Sequence, residues 1–277
     1  MQAVLLVGGR GSRLGSLSKR SPKPLLQVGD RPFLDYVIDN LERFGVDEIV
    51  LLAGYRSDLV EEFAQTRMRG CGSGSARISV VSEAKPLGTG GALKHAGAKL
   101  APSFLLVNGD CLFDIDYAEL ATPPTEQDWR VRFALRREAD ASRYGVVSLD
   151  DSGRIVEIEQ RPKRSGPGLI IGGSYWMDRR ILDAIPAGRC SLEKAVFPGL
   201  ASRGLLYGTV YEGGFIDIGI PEAYVFAQTW VPAVFDLMRG EADPEREATE
   251  RDGPGGASQD SERPEPEHLA QSTPLGK

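Results

Sequence analysis

The chain reads as an α/β protein built on a doubly wound parallel sheet. Short, wholly apolar runs recur through the first 110 residues, and amphipathic helical stretches separate them. Glycine-rich turns follow the first and third of those runs, where a sheet of this kind carries its ligand.

Residues 3–7 are apolar throughout, as a strand buried on both faces requires. Asp30 can cap a helix with Pro32 in its first turn and Gly45 at its end. Within it Phe33, Leu34, Val37, Ile38, Leu41 and Phe44 share one face at helical spacing. Residues 49–52 form the next strand, 57–68 a helix and 78–81 a third strand. A glycine-rich turn then leads to a helix near 91–100 and a fourth buried strand at 103–107. The second half is richer in strands: 131–135, 145–149, 154–159 and 169–177 read as extended. Asp150-Asp151-Ser152-Gly153 is a hairpin turn between two of them. Short helices are expected near 178–184, 192–198 and 221–230, beside a small antiparallel part that covers the ligand site.

Composition narrows the function. The 277 residues hold 33 Lys+Arg against 39 Asp+Glu, a net charge of −6, which argues against a nucleic-acid-binding surface. No apolar run reaches the roughly 20 residues of a membrane span or the 7–15 of a signal peptide, so a cytoplasmic protein without a membrane partner is expected. Cys71, Cys111 and Cys190 are odd in number and scattered, which suits reduced thiols. With no Cys-x-x-Cys and only His95 and His268, zinc sites and histidine triads are poor candidates. From residue 238 onward, ten acids, five bases and five prolines fill 40 positions. Such a stretch buries too little apolar area to offset its ordering entropy, so 1–237 is the expected domain and 238–277 a disordered acidic tail.

The first strand runs into Gly8-Gly9-Arg10-Gly11-Ser12-Arg13-Leu14. Glycines let the backbone approach a ligand, and consecutive N–H groups form an anion nest. Leu14 stands where the dinucleotide fingerprint needs a glycine, and no Gly-Lys-Ser/Thr ends the loop as in a Walker motif. Arg13 lies inside the loop instead, followed by Lys23 between Pro22 and Pro24, which restrict its backbone. A fixed lysine and an arginine beside a backbone nest suit a triphosphate.

Residues 6–14 with Pro22-Lys23-Pro24 resemble the signature of sugar-1-phosphate nucleotidyltransferases. Further matches follow in that family's order: Glu83 before Pro86-Leu87-Gly88-Thr89-Gly90-Gly91, Asn108-Gly109-Asp110, Tyr144-Gly145-Val146, Ser191-Leu192-Glu193-Lys194, and Gly214-Phe215-Ile216-Asp217-Ile218-Gly219. The resemblance spans residues 2–230 and looks most like the D-glycero-D-manno-heptose 1-phosphate guanylyltransferases. Mannose-1-phosphate guanylyltransferases share much of it but usually add a C-terminal β-helix, of which no hexapeptide repeat is seen here.

The resemblance implies a Rossmann-like mixed sheet of the nucleotide-diphospho-sugar transferase type, with a small antiparallel sugar-binding part. It implies an NTP, GTP favoured, and a sugar 1-phosphate as substrates, Mg²⁺ as cofactor, and NDP-sugar plus pyrophosphate as products. A homo-oligomer is left open. Asp110 and Asp217, 107 positions apart, become the metal ligands, although Asp217 alone reads as a hydrogen-bonded structural acid. Arg13 would hold the leaving pyrophosphate and Lys23 bridge the reacting phosphates. Leu6, Gly8, Gly9, Gly11, Ser12, Glu83, Pro86, Gly88 and Thr89 would bind the nucleotide, with the glycines of 88–91 letting the backbone approach the base. Glu83 can accept from the adjacent N1–H and N2–H donors of guanine, which uracil lacks. Asn108, Tyr144, Gly145, Gln160, Arg161, Gly173, Glu193 and Lys194 would take the sugar phosphate.

Four positions depart from the family pattern, of which Val7, where Ala is common before the glycines, is expected to matter little. Gln160-Arg161-Pro162 stands where Glu-Lys-Pro is common, and Ile171 where Asn is common. Arg161 keeps a positive charge, but Gln160 loses a carboxylate and Ile171 a polar contact near the sugar, so altered sugar specificity is the simplest consequence. Mannose-1-phosphate guanylylation and uridylyl or adenylyl transfer to another sugar are the rival activities. A non-catalytic sugar-nucleotide-binding regulatory subunit is the rival from another class.

Overall fold

The computed structural model describes residues 1–9, 11–15, 17–70, 75–122, 128–160 and 165–239, without the side chains of Ser12 and 237–239. Cys71, Arg161, His268 and the acidic tail from residue 240 lie outside the described residues.

Strand β1 (Gln2–Leu6) alternates between two cores, and this is why it is apolar without a break from Ala3 onward. Ala3 and Leu5 enter the core under the first helices, whereas Val4 enters the core on the other face. A two-residue hairpin, β2 (Gln27–Val28) and β3 (Arg31–Pro32), precedes helix α1 (Phe33–Arg43). Pro32 itself occupies the N-cap position and no side chain caps the helix, so Asp30 is not its cap. Asp30 sits in the hairpin turn and accepts a 3.4 Å hydrogen bond from Tyr36 Oη. Gly45, at φ 79°, follows the C-cap Phe44 as its spacing predicts.

Next come β4 (Glu48–Ala53), α2 (Ser57–Gly70), β5 (Arg77–Ser82), α3 (Gly88–His95) and β6 (Ser103–Asn108). Helix α3 starts three residues before the predicted boundary. β7 (Cys111–Phe113) and α4 (Tyr117–Leu120) precede the strand-rich half, which is β8 (Val131–Glu138), β9 (Val146–Leu149), β10 (Ile155–Glu159) and β11 (Gly168–Asp178). Then follow α5 (Ile181–Ala184), a π-helical turn at Leu192–Val196, α6 (Phe197–Ala201), β12 (Leu206–Val210), β13 (Phe215–Asp217) and α7 (Pro221–Arg239). Helix α7 runs nine residues past its predicted end and across the 237/238 boundary.

The main sheet is mixed, with the order β10-β9-β11-β6-β1-β4-β5, β8 pairing with β11, and β12 with β8. β5, β4, β1 and β6 are parallel, which is the doubly wound half. β11 joins β6 antiparallel and carries β8 and β9. β13 and β7 form a separate antiparallel pair beside the carboxyl end of β6. Both functional ends of the chain therefore meet at the C-terminal edge of the parallel strands, where open α/β sheets bind ligands.

Candidate active site

The loop after β1 is held by its neighbours' backbones. A Cβ on Gly8 would lie 2.9 Å from Gly54 N, and Gly8 O accepts from Tyr55 N at 3.2 Å. Gly11 has φ 62°, and its carbonyl accepts from Leu14 N at 2.9 Å and from the buried Ser18 Oγ at 2.8 Å. Arg13 sits exposed on the 3₁₀ turn Ser12–Leu14 and makes no hydrogen bond or ion pair among the described residues.

Lys23 opens a third 3₁₀ turn, Lys23–Leu25, after Leu17–Lys19, between Pro22 at ψ 144° and the buried Pro24. Its Nζ lies 2.6 Å from Asp110 Oδ2. Burial works against the ammonium, yet the charge and hydrogen bond of Asp110, with help from Asp217, leave the Lys23 pKa raised. Asp110 follows β6 after Gly109, whose N–H donates to Leu6 O at 3.1 Å. The Asp110 carbonyl accepts from Ile218 N at 3.1 Å, which fastens the β13 end to the β6 end.

Asp217 is the antiparallel partner of Cys111 in the β7–β13 pair. Its Oδ1 accepts from Gly219 N at 2.7 Å. Burial, and then the nearby Asp110 carboxylate, push the Asp217 pKa up, with Lys23 pulling the other way. Donor atoms of Asp110, Cys111 and Asp217 all lie within 4.8 Å of one another. Two converging carboxylates with one lysine as counter-charge fit a hard divalent cation that also takes phosphate oxygens.

A cleft of ≈ 950 Å³ opens beside this centre. Among the sequence candidates, Leu6, Gly8, Gly9, Glu83, Pro86, Gly88, Thr89, Asn108, Asp110 and Glu193 line it. Gly11, Arg13, Lys23, Tyr144, Gly145, Gln160, Gly173, Lys194 and Asp217 do not, and Arg161 and the Ser12 side chain lie outside the described residues. Glu83 follows β5 and accepts from Leu87 N at 3.0 Å through Oε2. Its Oε1 lies 2.5 Å from where a Cβ on Gly54 would stand, so Gly54 makes room for this carboxylate.

The glycines of 88–91 also pack closely against the chain's own backbone, while Gly88 lines the cleft. A Cβ on Gly88 would lie 2.5 Å from Cys190 O, and one on Gly91 would lie 2.5 Å from Gly188 O. Gly90 N and Gly91 N both donate to Cys190 O, at 3.0 and 3.2 Å, and Cys190 N donates to Leu87 O at 2.8 Å. The glycines thus receive the chain at 188–190 and place Arg189 on the cleft wall. The same junction orders Glu193: Thr89 Oγ1 and Ser191 Oγ donate to its Oε2 at 2.8 and 2.6 Å. Gln160 Nε2 donates to Glu193 O at 2.8 Å, whereas Lys194 is exposed.

On the sugar side, the Tyr144 ring packs edge-on to Phe215 with centroids 6.0 Å apart, and burial raises its phenol pKa to about 12. Gly173 has φ 74° in the bulge where β11 shifts register, and its Cβ position lies 3.0 Å from Asn108 Nδ2. A Cβ on Gly145 would meet only Ile171 Cδ1, at 3.6 Å, and Glu159 O, at 3.8 Å, which are ordinary contacts.

Sequence reasoning passed over Arg56, Lys85 and Arg189, three cations on the cleft wall. Lys85 and Arg189 sit beside quoted motifs and were within reach. Arg56 was not, since its φ of 52° and its guanidinium bonds to Asp58 and to Arg20 O arise only in the folded loop. Among the described residues, no helix is long and apolar enough to cross a membrane.

This fold, with carboxylates at the sheet's C-terminal edge and a cleft lined by three cations and three carboxylates beside a glycine loop, suits a phosphate-handling α/β transferase. Residues 2–232 match the family model for Nucleotidyl transferase, and the chain belongs to that family. It is 32% identical over 228 residues to the D-glycero-alpha-D-manno-heptose 1-phosphate guanylyltransferase of Campylobacter jejuni, covering 81% of this chain and 97% of the relative. Identity to the mannose-1-phosphate guanylyltransferase of Mycobacterium tuberculosis is 34% over 248 residues, covering 87% of this chain but 65% of that protein. The crystal structure of HddC from Yersinia pseudotuberculosis complexed with GMP-PN superimposes with a TM-score of 0.71 at 31% identity, covering 82% of this chain and 97% of HddC.

Proposed function

We propose that this protein transfers a guanylyl group from GTP to D-glycero-D-manno-heptose 1-phosphate, releasing pyrophosphate and forming GDP-heptose. The observation that carries the reading is the coverage of 97% of the Campylobacter heptose 1-phosphate guanylyltransferase.

A phosphate oxygen of the sugar 1-phosphate attacks the α-phosphorus of GTP in line, and the bond to pyrophosphate breaks. The attacking oxygen is already anionic, so no general base is needed. Catalysis is then positioning and charge neutralisation. Asp110 and Asp217 would hold Mg²⁺, which supplies Lewis-acid neutralisation of phosphate charge. Lys23, fixed by its prolines and by Asp110, neutralises charge on the reacting phosphates. Arg13, without a partner among the described residues, is available to the leaving pyrophosphate. Glu83 meets the guanine edge with the lone pairs left after its bond to Leu87 N.

Mannose 1-phosphate is the second reading, favoured by the 34% identity to the Mycobacterium protein. Pyrophosphate release across GTP, ATP, UTP and CTP against mannose, glucose and heptose 1-phosphates separates the two. The expected signal is confined to GTP with heptose 1-phosphate. A stronger signal with mannose 1-phosphate overturns the heptose assignment, and a stronger signal with another NTP overturns the guanine assignment.

A further inference from the structure

We propose that Cys111 is a third donor to the cation held by Asp110 and Asp217, giving the centre an oxygen, oxygen, sulfur donor set that takes borderline and soft divalent cations. The inference rests on the proposed role of the two aspartates.

Cys111 and Asp217 are directly opposed in the β7–β13 pair, and opposed residues project from the same face. Cys111 Sγ lies 3.7 Å from Asp110 Oδ1, and all three donor atoms fall within 4.8 Å of one another. Ligand atoms about 2.0–2.3 Å from one cation are themselves about 3–4 Å apart, so little movement closes the set. Gly173 keeps the space behind the sulfur clear, since a Cβ there would come 3.2 Å from Sγ.

Cys111 is buried but is a member of neither of the two main apolar clusters, whereas Cys190 lies within the second. A thiol facing two carboxylates gains little as filler, but it is a soft donor in an otherwise hard site. Mg²⁺ binds the oxygens alone. With a thiophilic ion the sulfur–metal bond forms as the thiol proton passes to solvent.

Co²⁺ and Mg²⁺ are titrated into the full chain, followed by calorimetry and near-ultraviolet absorption. The wild-type protein is expected to bind one Co²⁺ with a thiolate-to-cobalt charge-transfer band. Cys111→Ser should lose the band and bind Co²⁺ about tenfold or more weakly, with Mg²⁺ affinity held within about twofold. Cys111→Ala should behave likewise, Cys190→Ser should keep the band, and circular dichroism checks that each variant is folded. Co²⁺ binding without the band, or a band that survives Cys111→Ser, overturns the role of Cys111 while leaving the aspartate site standing. Binding of neither ion overturns both.

Discussion

Gly91→Ala tests whether the glycines of α3 exist to receive the segment at 188–190. The added Cβ would stand 2.5 Å from Gly188 O, 3.0 Å from Leu87 Cβ and 3.3 Å from Cys190 N. Alanine in a helix gains about 1 kcal/mol over glycine. Against that, overpacking costs about 1–3 kcal/mol, and the two N–H bonds to Cys190 O contribute about 1 kcal/mol each. The steric loss wins, leaving the variant about 2–4 kcal/mol less stable, or about 4–16 °C lower in Tm. Gly199→Ala in α6 is the control: nothing lies within 4 Å of its Cβ position, so it should gain about 0.5–1 kcal/mol. Thermal melts of both variants with and without GTP give the comparison. Gly91→Ala should also weaken GTP binding, because Arg189 and Glu193 are set by the same junction. A Gly91→Ala melt at or above wild type refutes the reasoning.

Three further outcomes are expected. Lys23→Met should lower kcat about 10²–10³-fold in a steady-state pyrophosphate assay, since it removes the cation 2.6 Å from Asp110, and an unchanged kcat would remove Lys23 from the chemistry. Asp217→Asn should raise the metal-free Tm at pH 7 while abolishing turnover. Burial first, and then Asp110, raise the Asp217 pKa above 3.8, so the stability associated with its neutral form is full below pH 3.8 and lost as pH rises through the folded value. The Asn advantage should therefore shrink toward pH 3, and an advantage independent of pH would contradict this. Arg67→Ala should cost about 3–5 kcal/mol in urea unfolding, because Arg67 joins Asp35, Asp39 and Glu42 of α1 at 2.6–2.9 Å with its side chain 9% exposed, while KM for GTP stays unchanged.

The parallel half was legible because β1, β4 and β6 are buried on both faces and each holds an apolar run of four or more residues. Asp110 was legible for a related reason, since it closes one of those runs. β7 and β13 were missed: three residues are too short to show an alternating pattern, and their pairing joins segments about a hundred positions apart. That pairing brings Cys111 against Asp217, so the thiol's place in the centre was invisible too. The glycine motif at 88–91 was legible as a place of close approach, but its packing against the backbone at 188–190 joins segments about a hundred positions apart and left no local signal.

The most direct test of the central claim is mass-spectrometric detection of GDP-heptose from GTP and heptose 1-phosphate. It is run with Mg²⁺ for wild-type protein, Asp110→Asn and Asp217→Asn. Wild type should form product, and both variants should fall by at least about 10²-fold while remaining folded. Product formation near the wild-type rate by either variant would contradict the account of the two aspartates, and no product from the wild type would contradict the proposed reaction.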